Sequence, residues 1–252
     1  MSIKTNGDST TPVTGGGGNI TSAGAFGSEP GSPNDGDLYF PDNAAVIERY
    51  NGADWDTFGP TYQFVRPIDA DYAWVNQGGA SVSEANGGIR LIAPAGAGNN
   101  LRMRDKAAPA VPYIIEAAFL PCTVNANFIG VGLYFRNAGA GTVVIHTIVF
   151  DSAIDAANRI YGATKFTNPT TFSANYAGIQ QIRPIPVQPM WMRIADDNTN
   201  RICSVSSNGF DWHIIHSIGR TDFLTADRVG FFAESNNASF AAINHLLHWR
   251  EL

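Results

Sequence analysis

The chain has few charged residues and few cysteines, and both shortages narrow what it can be. Of its 252 residues only 15% are charged, the formal net charge is −6, and Lys and Arg are not clustered. Sequence-independent binding of nucleic acid needs clustered cations against the phosphates, so we expect no nucleic-acid partner. Cys122 and Cys203 show neither metal-ligand spacing nor the density of a disulfide framework. Two buried free thiols and a single bridge both stay open.

Long apolar runs and helical periodicity are also scarce. No stretch approaches the roughly 18–20 apolar residues of a membrane span, and the N-terminal MSIK is not followed by the apolar region of a secretory signal. We therefore expect neither membrane association nor signal-directed secretion. Helical spacing with caps is absent apart from one turn predicted over residues 152–158.

What the chain does contain is a series of short strand patterns separated by tight turns. The clearest is residues 190–218, MWMRIADDNTNRICSVSSNGFDWHIIHSI. Runs at 191–195, 201–205 and 210–218 are separated by Asp/Asn-rich residues and by an Asn-Gly pair, which is a strong hairpin signal. The stretch predicts an antiparallel three-stranded meander.

Comparable patterns recur along most of the chain. Strands are predicted at 72–75, 88–93, 101–105 (as an edge strand), 113–120, 128–136, 142–150, 159–166, 227–232 and 238–249, with a long loop over 167–189. Strands at this spacing predict an all-β, two-sheet antiparallel sandwich.

Composition divides the chain into four predicted parts. Residues 1–25 are rich in Gly, Ser and Thr and predict an extended arm, whereas 26–60 predict a small β-meander with strands at 37–40 and 45–50. Residues 61–71 are a connector, and 72–252 form the sandwich.

The meander at 190–218 also carries a family resemblance. The Trp191-x-Arg193 strand, the Ser-Ser-Asn-Gly turn and the following Trp212 resemble the concanavalin A-like (laminin G-like) jelly-roll superfamily. Residues 227–232, DRVGFF, are similar to another strand of that family, and 238–249 stand where it has its closing strand. The resemblance spans roughly residues 72–252 and implies a jelly-roll sandwich.

A second resemblance lies in the N-terminal part. The strand GDLYF followed by YNGADW resembles a short module of bacteriophage tail-fibre and virion appendage proteins. The residues that we assign to this docking module are Asp37, Leu38, Tyr39, Phe40, Tyr50 and Trp55. The resemblance implies a virion protein whose residues 1–60 bind other virion proteins and which assembles as a homo-oligomer, as a trimer in most such appendages.

Catalysis requires groups that the sequence does not provide. Glycoside hydrolases, which this superfamily includes, need two carboxyl groups about 5–10 Å apart, and the family's hydrolases take them from a strand reading E-x-D-x-x-E. The corresponding strand here, IIEAAF, has only Glu116, and the five histidines accompany no G-x-S-x-G elbow. We predict that the protein is not an enzyme. A polysaccharide depolymerase is the alternative if a second carboxylate lies within about 10 Å of Glu116.

The sequence leaves two kinds of binding site as possibilities, a calcium site and a glycan-binding surface. Lectin-like sandwiches often hold Ca²⁺ through loop carboxylates, and Asp196-Asp197-Asn198 fit that use, although acidic turn residues more often only form turns. We therefore predict no cofactor, with Ca²⁺ as the open alternative.

A glycan surface is predicted from strand alternation, which turns Ile115, Leu133, Phe135, Ile145 and Ile160 inward. The same alternation exposes six candidate sugar-binding residues: Glu116, Tyr134, Arg136, His146, Arg159 and Tyr161.

Together these patterns predict a non-enzymatic phage structural protein, made in the host cytoplasm and built into the virion. It would be a short tail fibre, a baseplate appendage or a capsid decoration protein, displaying a lectin-like sandwich toward host glycan or another virion protein. A head or tail component with no ligand is the other alternative.

Overall fold

The protein is described by a computed structural model that covers residues 20–21, 31–33, 37–39, 47–50, 52–53, 55–58, 64–122, 126–155, 159–176 and 189–252. The chain divides into two compact units, Met1–Gln63 and Phe64–Leu252. The predicted division into arm, meander, connector and sandwich stays a prediction.

The first unit contains a four-stranded sheet. Its strands, in chain order, are β1 (Ile20–Thr21), β2 (Leu38–Tyr39), β3 (Ile47–Tyr50) and β4 (Trp55–Phe58). Strand β1 runs parallel to β2, whereas β2, β3 and β4 form an antiparallel meander. Two residues of the predicted arm thus pair with the meander, and residues 1–19 and 22–25 lie outside the described part.

The second unit contains fourteen strands among the residues described. They are β5 (Ala73–Val75), β6 (Ser81–Ala85), β7 (Gly88–Ala93), β8 (Arg102–Ala107), β9 (Tyr113–Cys122), β10 (Gly130–Arg136), β11 (Val143–Phe150), β12 (Arg159–Asn168), β13 (Thr171–Asn175), β14 (Met190–Asp196), β15 (Asn200–Ser206), β16 (His213–Gly219), β17 (Arg228–Glu234) and β18 (Ala242–Glu251). One 3₁₀ turn, Asp69–Asp71, precedes β5.

These strands form two seven-stranded antiparallel sheets, which confirms the predicted sandwich. The front sheet has the order β13-β12-β11-β10-β17-β8-β5, and the back sheet has the order β16-β15-β14-β9-β18-β7-β6. The meander predicted at residues 190–218 is confirmed, because β14, β15 and β16 are antiparallel neighbours. In the part of the chain that the structure describes, no helix is long and apolar enough to span a membrane.

The main core lies between the two sheets. Alternate residues of β10 and β17 face the back sheet, and Leu133, Phe135 and Phe231 are at most 1% exposed there. Met192 and Ile194 of β14 and Ile115 of β9 oppose them from the other sheet. Period-two alternation therefore predicts this core correctly for β9 and β10.

A second apolar cluster lies on the outer face of the front sheet, the face turned away from the back sheet. Its buried members are Leu101, Met103, Tyr134, Val143, Ile145, Phe166 and Phe232. The Leu101 N–H, just before β8, donates to the carbonyl oxygen of Pro169 between β12 and β13, at 2.9 Å. Strands β8 and β12 are four spacings apart, about 19 Å in a flat sheet. The front sheet must therefore curl, and its outer face is a concave surface with its own small core.

Several predicted strand positions are wrong. Strand β8 is not an edge strand, because β5 lies outside it. Strand β6 was not predicted, and β13 occupies part of the predicted loop at 167–189. Strand β13 has only five residues, all of them exposed, and its two alternating apolar residues, Phe172 and Ala174, are too few to identify a strand. At 152–158 the described residues make one turn, in which the Asp155 N–H donates to the Asp151 carbonyl oxygen at 2.9 Å.

Candidate functional site

The predicted sugar-binding residue Glu116 is not exposed. It lies on the back sheet, directly opposite Arg193 of β14 and Arg250 of β18. One carboxylate oxygen binds Arg193, and the other accepts from Arg250 Nη2 at 2.8 Å. The Arg193 guanidinium also lies 3.9 Å from the centre of the Trp212 ring. Because both oxygens bind guanidinium groups, Glu116 is the centre of a structural ion-pair cluster.

Two further predicted residues face the inter-sheet core instead of solvent. His146 is fully buried, with Nε2 3.1 Å from the Ser204 carbonyl oxygen on the back sheet, and burial lowers the pKa of its imidazole to about 4. Tyr161 belongs to the inter-sheet core, and the predicted core residues Ile145 and Ile160 are on the outer face. The predicted phase of β11 and β12 is therefore wrong by one residue. Strand β11 reads VVIHTIVF, apolar on both faces, so alternation cannot set its phase.

The other three candidates do not form an exposed site. Tyr134 and Arg136 share the outer face of the front sheet, but Tyr134 is fully buried in the outer cluster. Arg136 Nε donates to Asp105 Oδ2 at 2.8 Å. Arg159 begins β12 and is half-buried. The six residues do not form one surface, and their role in sugar binding stays a prediction without geometric support.

The docking-module residues lie in the first unit. Asp37 and Tyr39 are buried, and the Tyr50 N–H donates to the Asp37 carbonyl oxygen at 2.9 Å. Leu38 lies in β2 and Trp55 in β4. Phe40 lies outside the described residues. These contacts stabilise the meander, and their role in docking stays a prediction.

A cavity of about 310 Å³ opens on the outer face of the front sheet, at the end next to β17 residue Glu234. Its lining residues are Asn99, Phe128, Ile145, Thr147, Val149, Asp151, Thr164, Phe166, Phe172, Asn175, Glu234 and Asn236. None of them was a predicted site residue. Ligand sites have volumes of about 300–1,000 Å³, with apolar walls and a few placed polar groups, and this cavity has that composition.

The strand register of the front sheet shows which residues form the floor of the cavity. Thr147 of β11 lies opposite Gly132 on one side and Gly162 on the other. Cross-strand partners project from the same face, so neither cross-strand neighbour places a side chain beside Thr147 on the outer face. A Cβ at Gly162 would come within 3.1 Å of Thr147 Cγ2. Gly130 and Gly132, two positions apart at the start of β10, were the sequence signal for this cavity.

Glu234 is a buried carboxyl group in the cavity. Its residue is 6% exposed, and one carboxylate oxygen accepts the Asn100 N–H at 2.9 Å. Burial raises the pKa of Glu234 to about 7, and the Asn100 hydrogen bond partly opposes that shift. Beside it, Asn236 Nδ2 donates to Asn99 Oδ1 at 3.1 Å, which holds the two loop amides together at the rim.

Two phenylalanines stand exposed at the cavity. Phe128 is 46% exposed and has a φ of +63°, a left-handed conformation that costs energy in a bulky residue. Phe172 of β13 is 44% exposed and packs edge-on against Phe166, with ring centres 6.0 Å apart. Bulges between β12 and β13 give this hairpin its bend over the sheet.

The predicted calcium ligands do not fit a metal site. Asp196 accepts the Asn198 N–H at 3.0 Å and Arg220 Nε at 2.7 Å, and Asp197 accepts the Thr199 N–H at 2.8 Å. Backbone hydrogen bonds hold the pKa of Asp197 below its usual value. These carboxylates form the turn and an ion pair. Over the described ranges no group of three or more His, Cys, Asp or Glu side chains could hold a metal ion.

Similarity to known proteins shows the fold. Neither protein-family models nor curated proteins match the chain. Among solved structures, the GH43 protein BlXynB of Bacillus licheniformis is 12% identical with a TM-score of 0.53, over 74% of this chain and 37% of that protein. The carbohydrate binding module CBM66 of Bacillus subtilis is 12% identical with a TM-score of 0.47, over 75% and 98% of the two chains. The chain thus spans about a third of the BlXynB length and shares its sandwich.

Proposed function

We propose that the protein is a carbohydrate-binding sandwich without catalytic activity, and that its site is the outer-face cavity of the front sheet. One observation carries the proposal: two exposed phenylalanines flank a cavity whose polar groups are amides, hydroxyls and carboxylates. Sugars present C–H faces that pack on aromatic rings and hydroxyls that bind planar polar groups. The cavity offers both kinds of contact.

The polar groups are held in fixed positions. Thr164 Oγ1 donates to Asn175 Oδ1 at 2.8 Å, which orients the Asn175 amide. Thr147 Oγ1 donates to the Val131 carbonyl oxygen at 3.2 Å, so its oxygen is placed to accept a ligand hydroxyl. Fixed groups lose little freedom on binding, which favours affinity for a small polar ligand.

A glycan array followed by calorimetric titration tests this function. For the glycan that binds, Phe172→Ala should weaken binding about tenfold, since one aromatic contact contributes about 1–1.5 kcal/mol. Phe210→Ala is the matched control, because Phe210 is 49% exposed and precedes β16 of the back sheet. Equal effects of the two substitutions, or no glycan bound, would refute the proposal.

Hydrolysis is a second candidate, favoured by one observation. Glu234 and Asp151 line the same cavity, and a pair of carboxyl groups is what a glycosidase needs. Incubating the bound glycan with the protein and with Glu234→Gln, and following the release of reducing ends, separates the candidates. Turnover that Glu234→Gln abolishes would make the protein an enzyme, whereas binding without turnover supports the primary proposal.

We further propose a virion location for the protein, as a tail fibre, appendage or decoration protein whose first unit binds other virion proteins. The support is the sequence resemblance together with the β2-β3-β4 meander, in which the Tyr39 side chain is fully buried. An oligomer, trimeric by the same resemblance, belongs to this proposal. Electron cryomicroscopy of the purified particle tests it. An outer face buried against neighbouring chains would favour a structural component that binds no ligand.

A further inference from the structure

The cavity carries charge of one sign. Among its lining residues are two acids, Asp151 and Glu234, and no Lys, Arg or His. The remaining polar lining groups, the amides and hydroxyls of Asn99, Thr147, Thr164, Asn175 and Asn236, are uncharged. A ligand group entering the cavity therefore meets carboxylates with no fixed cation beside them.

Two cations of the lining strands point to the opposite face. Lys165 stands between the lining residues Thr164 and Phe166, so alternation turns it inward, where its Nζ lies 3.2 Å from Asp222 Oδ2. His146 stands between the lining residues Ile145 and Thr147 and faces the back sheet.

On the outer face itself, Arg228 of β17 and its cross-strand partner Arg136 of β10 lie at the other end of the strand pair from Glu234. Arg136 Nε binds Asp105, with a nitrogen–oxygen distance of 2.8 Å. Among the described residues that line the cavity, its two carboxylates therefore have no cation beside them.

We propose that the cavity selects neutral or amino sugars and rejects sugars that place a carboxylate in it, such as uronic or sialic acids. This inference rests on the proposed carbohydrate-binding function and narrows its ligand class. Carboxylates accept hydrogen bonds from sugar hydroxyls or from a sugar ammonium group. A ligand carboxylate would instead meet like charge in a partly enclosed site, where screening is weak. Repulsion of this kind gives selectivity without any additional attractive contact.

The test measures binding of the full chain to three oligosaccharides that share a β-1,4-linked backbone: a neutral form (glucose), an amino form (glucosamine) and a uronic form (glucuronic acid). An array offers the same three forms of other sugar backbones. At pH 8.5 we expect neutral and amino forms of the bound backbone to bind at least tenfold more tightly than the uronic form. Lowering the pH to 5.5 should narrow that gap, because the Glu234 pKa of about 7 leaves this carboxyl group mostly protonated there. The titratable groups that face the cavity are Glu234 and Asp151.

Two isosteric variants separate charge from shape. Glu234→Gln and Asp151→Asn should each lower the ratio of neutral to uronic affinity, and the double variant should bring that ratio close to one. Circular dichroism spectra identical to wild type would show that the variants fold, and Glu84→Gln, on the exposed edge strand β6, is the control. Uronic binding as tight as neutral binding at pH 8.5 would overturn the inference and leave the proposed function intact. No binding to any form on any backbone would overturn the proposed function itself.

Discussion

The buried carboxyl group of Glu234 makes a specific prediction about stability and pH. Its pKa is about 7 in the folded protein, against 4.5 for an ordinary glutamate. Since the folded-state pKa is raised, the folded protein binds more protons than the unfolded chain between these two values. Stability from this group is therefore fully present below pH 4.5 and is lost as the pH rises through 7.

The size of the effect follows from the shift. A change of one pKa unit corresponds to 1.36 kcal/mol, so the group should lower the free energy of unfolding by about 3 kcal/mol between pH 4.5 and pH 8. Glu234→Gln removes the titration but keeps an oxygen that can accept the Asn100 N–H. The variant should therefore gain about 3 kcal/mol relative to wild type over the same pH range.

Urea unfolding followed by tryptophan fluorescence measures this difference. Comparing the two proteins at each pH cancels every other titrating group that the substitution leaves unchanged. Glu84→Gln is the control, because it removes one carboxylate from a side chain that is 40% exposed. A flat difference for Glu234→Gln would show that Glu234 is not buried in the way described, and the electrostatic account of the cavity would fail.

Three further predictions follow from other buried groups. Glu116→Ala leaves Arg193 and Arg250 without their shared partner, and should lower the free energy of unfolding by about 2–3 kcal/mol in the same urea experiment. The His146 imidazole has a folded-state pKa of about 4, so an NMR titration should show it staying neutral well below pH 6.5. The stability that neutral His146 contributes is then lost as the pH falls from 6.5 toward 4. A titration midpoint near 6.5 would contradict its burial. Gly162→Val places a side chain beside Thr147 and should weaken glycan binding more than tenfold by calorimetry, whereas Gly139→Ala, with Asn137 Oδ1 3.5 Å from its Cβ, should leave binding unchanged.

The sequence predicts the sandwich well where one face of a strand is apolar and the turns are distinctive. The 190–218 meander is confirmed because an Asp/Asn-rich turn and an Asn-Gly turn separate its strands. Strand β7 is predicted with its observed bounds, Gly88–Ala93. Strand order is harder: β9 lies in the back sheet whereas β10, β11 and β12 adjoin in the front sheet, and local pattern does not encode such a crossing.

The cavity could not be predicted from alternation alone. The front sheet is apolar on both faces near its centre, so Ile145 and His146 exchange the faces that the pattern assigns to them. The concave outer face depends on long-range contacts, such as the bond from Leu101 to Pro169. Asn99 and Glu234 come from distant parts of the chain and meet because β8 and β17 pair.

A crystal structure of the full chain with the tightest-binding neutral oligosaccharide tests the central claim most directly. We expect a sugar ring in the outer-face cavity, packed against Phe128 or Phe172, with one of its hydroxyl groups within hydrogen-bond distance of Glu234. A sugar bound elsewhere, for example on the exposed strand β16 or beside Arg193 and Arg250 on the back sheet, would contradict the account and move the functional site to that surface.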